Sequence, residues 1–201
     1  MKHSLTPGQR APEFEATDIF GKKITLADSS TKYTLLVFLR YAGCPWCNLA
    51  IHRLAMEQTQ LNMSRCQIIA FIQSSKENII ANIYDRHKKR PEFPIIADSA
   101  QKFYKLYGVK SSITMITKSI TKVPQWVHSV KHLGFKQGKI DGNLLMVPAS
   151  FLVSEGKQTI LSADYNADAY FWSGSSYARK RIAKESDIIS SAVLPCTHDK
   201  I

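Results

Sequence analysis

Cys44 and Cys47 are separated by Pro45 and Trp46, and two thiols at this spacing can close and reopen a disulfide. The same spacing serves zinc and iron–sulfur sites. A closed zinc site needs four ligands, usually a second C-x-x-C or a closely spaced histidine pair. The remaining cysteines, Cys66 and Cys196, stand alone, and no such histidine pair follows the motif. Redox chemistry is therefore the reading favoured by the motif. Its rivals are metal binding and two inert thiols packed as small apolar groups.

The elements that must position these thiols are a strand and a helix. Residues Tyr33–Leu39 form a β-rich apolar run with the character of a buried strand, and Asn48–Met56 has helical spacing. The pair thus falls at a strand-to-helix junction. At a helix N-terminus the free backbone N–H groups and the positive end of the dipole favour a thiolate, the nucleophile in disulfide exchange and peroxide reduction. Pro45 suits the first helical turn, where its missing N–H costs nothing.

Residues 11–26 read as two short strands about a glycine turn, a hairpin ahead of the main fold. Cys66–Ile72 is a continuous apolar run of strand length, which places Cys66 in or beside a central strand as a buried core residue. Ser74 and Glu77 have capping-box spacing, with a helix expected to continue from Asn78 through His87. After Pro91 and Pro94, Ile95–Asp98 reads as a strand, and Ser99 as the cap of a helix running to a stop at Gly108. The segment from Lys110 to Asn143, with β-branched residues at 113–116 and a short helix from Val123 to Leu133, reads as an insertion over the sheet. Residues 146–163 give two strands around a Ser-Glu-Gly-Lys turn, and a last helix is expected near 175–184. A single domain of 201 residues follows, with its core at about 7–185 and a tail from about 190.

Composition excludes a disordered or repeat protein, since 44% of residues are hydrophobic and no low-complexity tract occurs. No apolar run has the length of a membrane span or a signal-peptide core, so a cytoplasmic protein is expected. The net charge of +11 is spread diffusely. Its two tight clusters, His87–Arg90 and Arg179–Arg181, belong to no nucleic-acid-binding motif and read as solvated basic faces. Such a charge also favours acidic partners.

Four segments, in order, resemble the thioredoxin superfamily, and more closely its alkyl hydroperoxide reductase and thiol-specific antioxidant branch, the peroxiredoxin-like proteins. They are Pro7–Phe14 with Asp18 and Gly21; Leu36–Arg40 leading into Cys44–Cys47; Phe93–Asp98 with Tyr107–Val109; and Val147–Val153. The resemblance implies an α/β thioredoxin-like fold: a central mixed sheet flanked by helices, an N-terminal hairpin, and an insertion before a strand led by a cis-proline, Pro148. It also implies that Pro148 and Val147 face the active cysteine. Peroxiredoxins carry a proline seven residues and a threonine or serine three residues before the peroxidatic cysteine. Val37 and Tyr41 hold those places if Cys44 is that residue, Arg40 and Cys44 if it is Cys47. The tryptophan and buried aspartate of thioredoxins are replaced by Gly43 and Phe38.

By this analogy Cys44, the more exposed thiol, attacks and Cys47 resolves, while the peroxiredoxin register keeps Cys47 open as the attacking residue. Arg40 and Tyr41 could donate charge or a hydrogen bond to the thiolate, and Trp46 could shield the disulfide. His52 lies eight residues along the helix from Cys44, a rise of about 12 Å, too far to reach that thiol directly. Cys196, beside Pro195 and His198, could act as a resolving cysteine from the tail. The expected function is a thiol–disulfide oxidoreductase without metal or organic cofactor. It would reduce hydroperoxides or protein disulfides and draw electrons from a thioredoxin-, glutaredoxin- or glutathione-like thiol donor, with oligomerisation left open. The rival outside catalysis is a thioredoxin-fold binding module with a basic surface.

Overall fold

The structure is a computed structural model that describes residues 4–26, 31–113 and 130–165. The expected N-terminal hairpin is present. Strands β1 (Glu15–Thr17) and β2 (Lys23–Thr25) pair antiparallel. Their turn is built by Asp18, whose carboxylate accepts from the N–H groups of Phe20 and Lys22, and by Gly21 at φ +92°, a conformation that glycine adopts without penalty.

The main sheet grows from two strands buried on both faces. β3 (Tyr33–Leu39) and β4 (Cys66–Ile72) run parallel, in register from Tyr33 opposite Cys66 to Leu39 opposite Ile72. β5 (Ile95–Ala97) extends the sheet parallel to β4. β6 (Ala149–Ser154) runs antiparallel to β3, and β7 (Ile160–Asp164) antiparallel to β6 through a turn with Gly156 at φ +79°. The order is β5-β4-β3-β6-β7, a mixed sheet. Because side chains alternate along a strand, β3 sends Leu35, Val37 and Leu39 to one core and Leu36 and Phe38 to the other. That is why its sequence is apolar but for Thr34.

Helix α1 (Pro45–Met63) packs on the first of these cores. Its later turns bury Leu54, Ala55, Gln58 and Leu61, the spacing of a single buried face. Its start is different: every residue from Pro45 to Ile51 is buried, because another segment of chain crosses over it. Helix α2 (Lys76–Ile79) runs into a π-helical turn over Ile80–Tyr84, where the Asp85 N–H bonds to the Ile80 carbonyl. Helix α3 (Lys102–Leu106) lies against the second core and stops before Gly108 at φ +68°, as expected.

Three local expectations are corrected. The cap of α2 is Ser75, whose hydroxyl accepts from the Asn78 N–H, because the neighbouring Ser74 is fully buried and its hydroxyl accepts from the Ala42 N–H instead. The cap of α3 is the Asp98 carboxylate, not Ser99. It accepts from the N–H groups of Lys102 and Phe103, since an ionised acceptor serves several orphan donors better than a hydroxyl. Finally, no peptide bond among the described residues is cis, so the bond before Pro148 is trans. Most of the β-branched stretch at 113–116 and of the helix expected at 123–133, the helix expected at 175–184 and the tail fall outside the described residues.

Candidate active site

Cys44 is the N-cap of α1, with extended backbone at φ −78° and ψ 122°, and Pro45 occupies the first turn. Cys47 lies one turn further in. Both are free thiols, and both are sealed from solvent, Cys44 at 1% and Cys47 at 0% exposure. The expectation that Cys44 is the more exposed thiol is corrected, since both are buried alike. A C-x-x-C at a helix start exposes its first thiol only when nothing lies over the helix end, and here something does.

Arg40, the first residue beyond β3, is buried against this pair. Its Nη2 donates to Cys44 Sγ at 3.1 Å and its Nη1 to the Leu144 carbonyl at 3.0 Å. Burial alone would raise the Cys44 pKa. A hydrogen bond from the Cys47 thiol, the Arg40 charge and the Cys47 backbone N–H override burial and bring it down to about 6. No capping hydrogen bond is formed at Cys44, so that N–H acts on the sulfur as a nearby dipole. Burial and the neighbouring Cys44 sulfur push Cys47 the other way, well above its ordinary value. The two thiols are thereby separated into one that ionises near neutrality and one that stays protonated.

The loop carrying Cys44 is held from below by Asn48. Its Nδ2 donates to the Ala42 carbonyl at 2.6 Å and the Cys44 carbonyl at 3.0 Å. With that nitrogen donating, Asn48 Oδ1 accepts from His87 Nε2 at 2.8 Å, which fixes the His87 tautomer with Nδ1 unprotonated. His87 stacks on Phe135 with ring centroids 4.4 Å apart, and burial, then His52 and Arg86, lower its pKa to about 4. His52 packs edge-on against the same Phe135, as a packed histidine.

From above, residues 137–145 lie across the loop as an irregular strap. Gly138 N–H donates to the Gly43 carbonyl at 2.8 Å, and Tyr41 Oη donates to Gln137 Oε1 at 3.3 Å. The Asp141 carboxylate accepts from the Ser74 hydroxyl at 2.5 Å and the Ser75 N–H at 3.0 Å. Contact is so close that a Cβ on Gly43 would sit 2.5 Å from the Lys139 carbonyl oxygen. The strap belongs to the segment read as an insertion, and it leads directly into Pro148 and β6.

The residues singled out from sequence converge here with different roles. Arg40 touches the Cys44 sulfur. Tyr41 commits its hydroxyl to Gln137, and burial, with the Cys44 sulfur adding to it, raises its pKa to about 12. Trp46 is buried in the core cluster that holds both cysteines, and Val147 packs against that cluster with its N–H donating to the Lys110 carbonyl at 3.1 Å. Pro148 is buried one residue before the Ala149–Phe38 pair, so it lies across from Leu39 at the exit of β3. Cys66 is a core residue at the start of β4, its pKa raised to about 12 by burial. Cys196 lies outside the described residues. Among the described residues no group of three or more His, Cys, Asp or Glu is arranged to hold a metal, and no helix is long and apolar enough to cross a membrane. Sequence reading missed Asn48, His87, Ser74 and Asp141. Only Asn48 carried a signal, an amide directly after the motif and four residues from Cys44, on the helix face that must be buried.

A central strand followed by a helix, in a mixed sheet with an N-terminal hairpin, defines a thioredoxin-like fold, and here the dithiol lies at the start of that helix. The model of the AhpC/TSA family matches residues 7–158, and the chain belongs to that family. No curated protein is significantly similar to it in sequence. Among solved structures, it resembles a yeast mitochondrial 1-Cys peroxiredoxin at 18% identity and TM-score 0.67, over 97% of this chain and 83% of that one. It resembles Enterococcus faecalis AhpC at 15% identity and TM-score 0.65, over 97% and 100%. A putative thiol:disulfide interchange protein DsbE from Chlorobium tepidum matches at 17% identity and TM-score 0.56, over 93% and 98%. These likenesses show the peroxiredoxin-type thioredoxin fold.

Proposed function

We propose that the chain is a two-cysteine thiol peroxidase in which Cys44 is the nucleophile and Cys47 the resolving thiol. The observation that carries this reading is the Arg40–Cys44 contact at the N-cap of α1, which favours a thiolate at one cysteine while its neighbour remains a proton-bearing thiol. The Cys44 thiolate attacks one oxygen of a hydroperoxide. The O–O bond breaks, the leaving oxygen takes a proton as alcohol or water, and Cys44 becomes a sulfenic acid. The Cys47 sulfur, one turn away, then displaces the sulfenic oxygen, which departs as water with the Cys47 proton. Two thiols and one hydroperoxide thus yield a disulfide, an alcohol and water. Two electrons and two protons from an external thiol donor of the thioredoxin, glutaredoxin or glutathione type restore the dithiol. Thiol resolution through glutathione and thioredoxin systems in the yeast mitochondrial relative supports such a donor.

Hydroperoxides are favoured over protein disulfides as the oxidising substrate because both sulfurs are buried, and a hydroperoxide needs only a narrow approach. Arg40 supplies charge to the thiolate. Brief hydrogen peroxide treatment with a sulfenic-acid trap is the test: Cys47→Ser is expected to accumulate the trapped adduct at Cys44, and Cys44→Ser none. Oxidation confined to Cys47 would reverse the roles, and the absence of a two-electron couple in the wild type would remove the catalytic reading.

A further inference from the structure

We propose that Asn48 and His87 form a positioning pair for Cys44: the Asn48 amide sets the backbone that aims the sulfur at Arg40, and the His87 imidazole holds that amide in place. This role rests on Cys44 as the nucleophile proposed above and adds to it the two residues that place it.

Each carbonyl of the loop from Ala42 to Cys44 is engaged. The Asn48 side-chain nitrogen takes those of Ala42, at 2.6 Å, and Cys44, at 3.0 Å, and the Gly138 N–H takes that of Gly43. The Ala42 N–H donates to Ser74 Oγ at 2.8 Å and the Cys44 N–H to the Tyr41 carbonyl at 3.2 Å. Cys44 is thus pinned at both its N–H and its carbonyl. Rotation about Cα–Cβ is the freedom left to its side chain, and the sulfur meets Arg40 Nη2 at 3.1 Å. Asn48 is fully buried, so only protein groups can orient its amide. Carbonyl oxygens accept and never donate, so the amide nitrogen faces them and Oδ1 faces His87 Nε2 at 2.8 Å.

His87 supplies the donor that this arrangement needs. Its ring is buried, stacks on Phe135 and leaves Nδ1 without a hydrogen-bond partner. A ring present for packing alone could be a phenyl, with no bare nitrogen to bury. What the imidazole adds is the Nε2 proton, and that proton goes to Asn48. Without it the buried Oδ1 is unpaired, and the amide regains a partner only by turning toward water or another donor, which takes its nitrogen off the two carbonyls. Cys44 is then free to move away from Arg40 and toward solvent. Both displacements bring its pKa up from about 6 toward the ordinary value near 8.5, so loosening the loop shifts it in one direction.

The pH profile of iodoacetamide alkylation tests the pair, read on the Cys44 peptide of the whole protein in a Cys47→Ser background. The midpoint is the readout, because rates also follow how often a buried sulfur is reached. Asn48→Leu should raise it by about one pH unit, roughly a tenfold loss of thiolate at pH 5. Two His87 variants separate the donor from the ring. His87→Gln keeps an N–H for Asn48 without the stack, and its midpoint should stay within about 0.3 pH unit of the background. His87→Phe keeps the stack without the N–H, and should shift in the same direction as Asn48→Leu. A histidine that only packs predicts the reverse order. Unchanged midpoints in every variant, equal shifts at His87→Gln and His87→Phe, or a larger shift at His87→Gln overturn the pair alone. If Asn48→Leu does not fold, the contrast between the two His87 variants decides. Hydrogen peroxide with a sulfenic-acid trap runs alongside, and a background protein that forms no adduct at Cys44 overturns the proposed function and the pair with it.

Discussion

The two faces of the central sheet are built from the same strands and treat their polar groups in opposite ways. On the face away from the thiols, Phe38 and Phe71 stack at 4.6 Å, and Tyr104, Tyr107 and Phe151 pack around them. The tyrosine hydroxyls there donate to backbone carbonyls: Tyr104 shares its one proton between Leu39 and Phe71 in β3 and β4, and Tyr107 donates to Pro12 ahead of β1. On the thiol face, Arg40, Tyr41 and Ser74 bond to a strap with no regular structure, and His87 Nδ1 is buried with no hydrogen-bond partner. One face satisfies its hydroxyls on backbone carbonyls around a ring-packed core. The other holds its polar groups in side-chain contacts to an irregular segment, as the proposed chemistry at a buried sulfur would need.

The largest effect that could break this comparison is on the aromatic face. Phe38→Ala should cost about 3–5 kcal/mol in urea unfolding, because Phe38 is fully buried and its neighbours are themselves ring-packed and slow to collapse into the space. A loss below about 1 kcal/mol would mean that this face is not the stabilising one.

Next in size is Arg40→Gln, which should leave the fold intact and raise the Cys44 pKa from about 6 toward the unperturbed value near 8.5. The pH profile of iodoacetamide alkylation in Cys47→Ser and Cys66→Ser backgrounds reads this directly. The linked stability has a definite sign. Since the folded pKa of Cys44 lies below the unfolded one, the reduced wild type should gain stability from Cys44 as pH rises from about 6 toward 8.5, and lose it as pH falls through 6. Arg40→Gln should flatten that slope, and an unchanged alkylation profile would separate the arginine from the thiolate.

The smallest effect is expected at His87→Phe. The ring stack on Phe135 survives, while Asn48 Oδ1 loses its donor, a cost of about 1–3 kcal/mol. His87 is held neutral, with its folded pKa of about 4 below the ordinary 6.5. Wild-type stability should therefore decline as pH falls through the window from 6.5 to 4, and the variant should decline less, measured by urea midpoints at pH 7 and pH 5.

Much of this could be read from residue order. The largely apolar runs at 33–39 and 66–72 set the central strands to the residue, because a strand buried on both faces is apolar almost throughout, and its two polar members, Thr34 and Gln67, bond to each other. The C-x-x-C with proline between its thiols placed the helix start, and the family-like segments placed the fold. The caps were legible only in part. Ser74 and Ser75 are chemically identical candidates, and which one capped α2 was settled by the Ala42 N–H, a donor from a different element.

The sequence by itself determined where the proposed nucleophile sits along the chain: strand, loop, Cys44, Pro45 and helix are local features, fixed by propensity and by the orphan N–H groups of a helix end. Only the tertiary structure decided that this nucleophile is covered. The Arg40–Leu144, Ser74–Asp141 and Asn48–His87 contacts join positions 104, 67 and 39 residues apart. No local periodicity encodes such pairings. They arise because the sheet order brings the ends of β3, β4 and β6 together at one edge, and because glycines at 43, 138 and 142 let two backbones meet there.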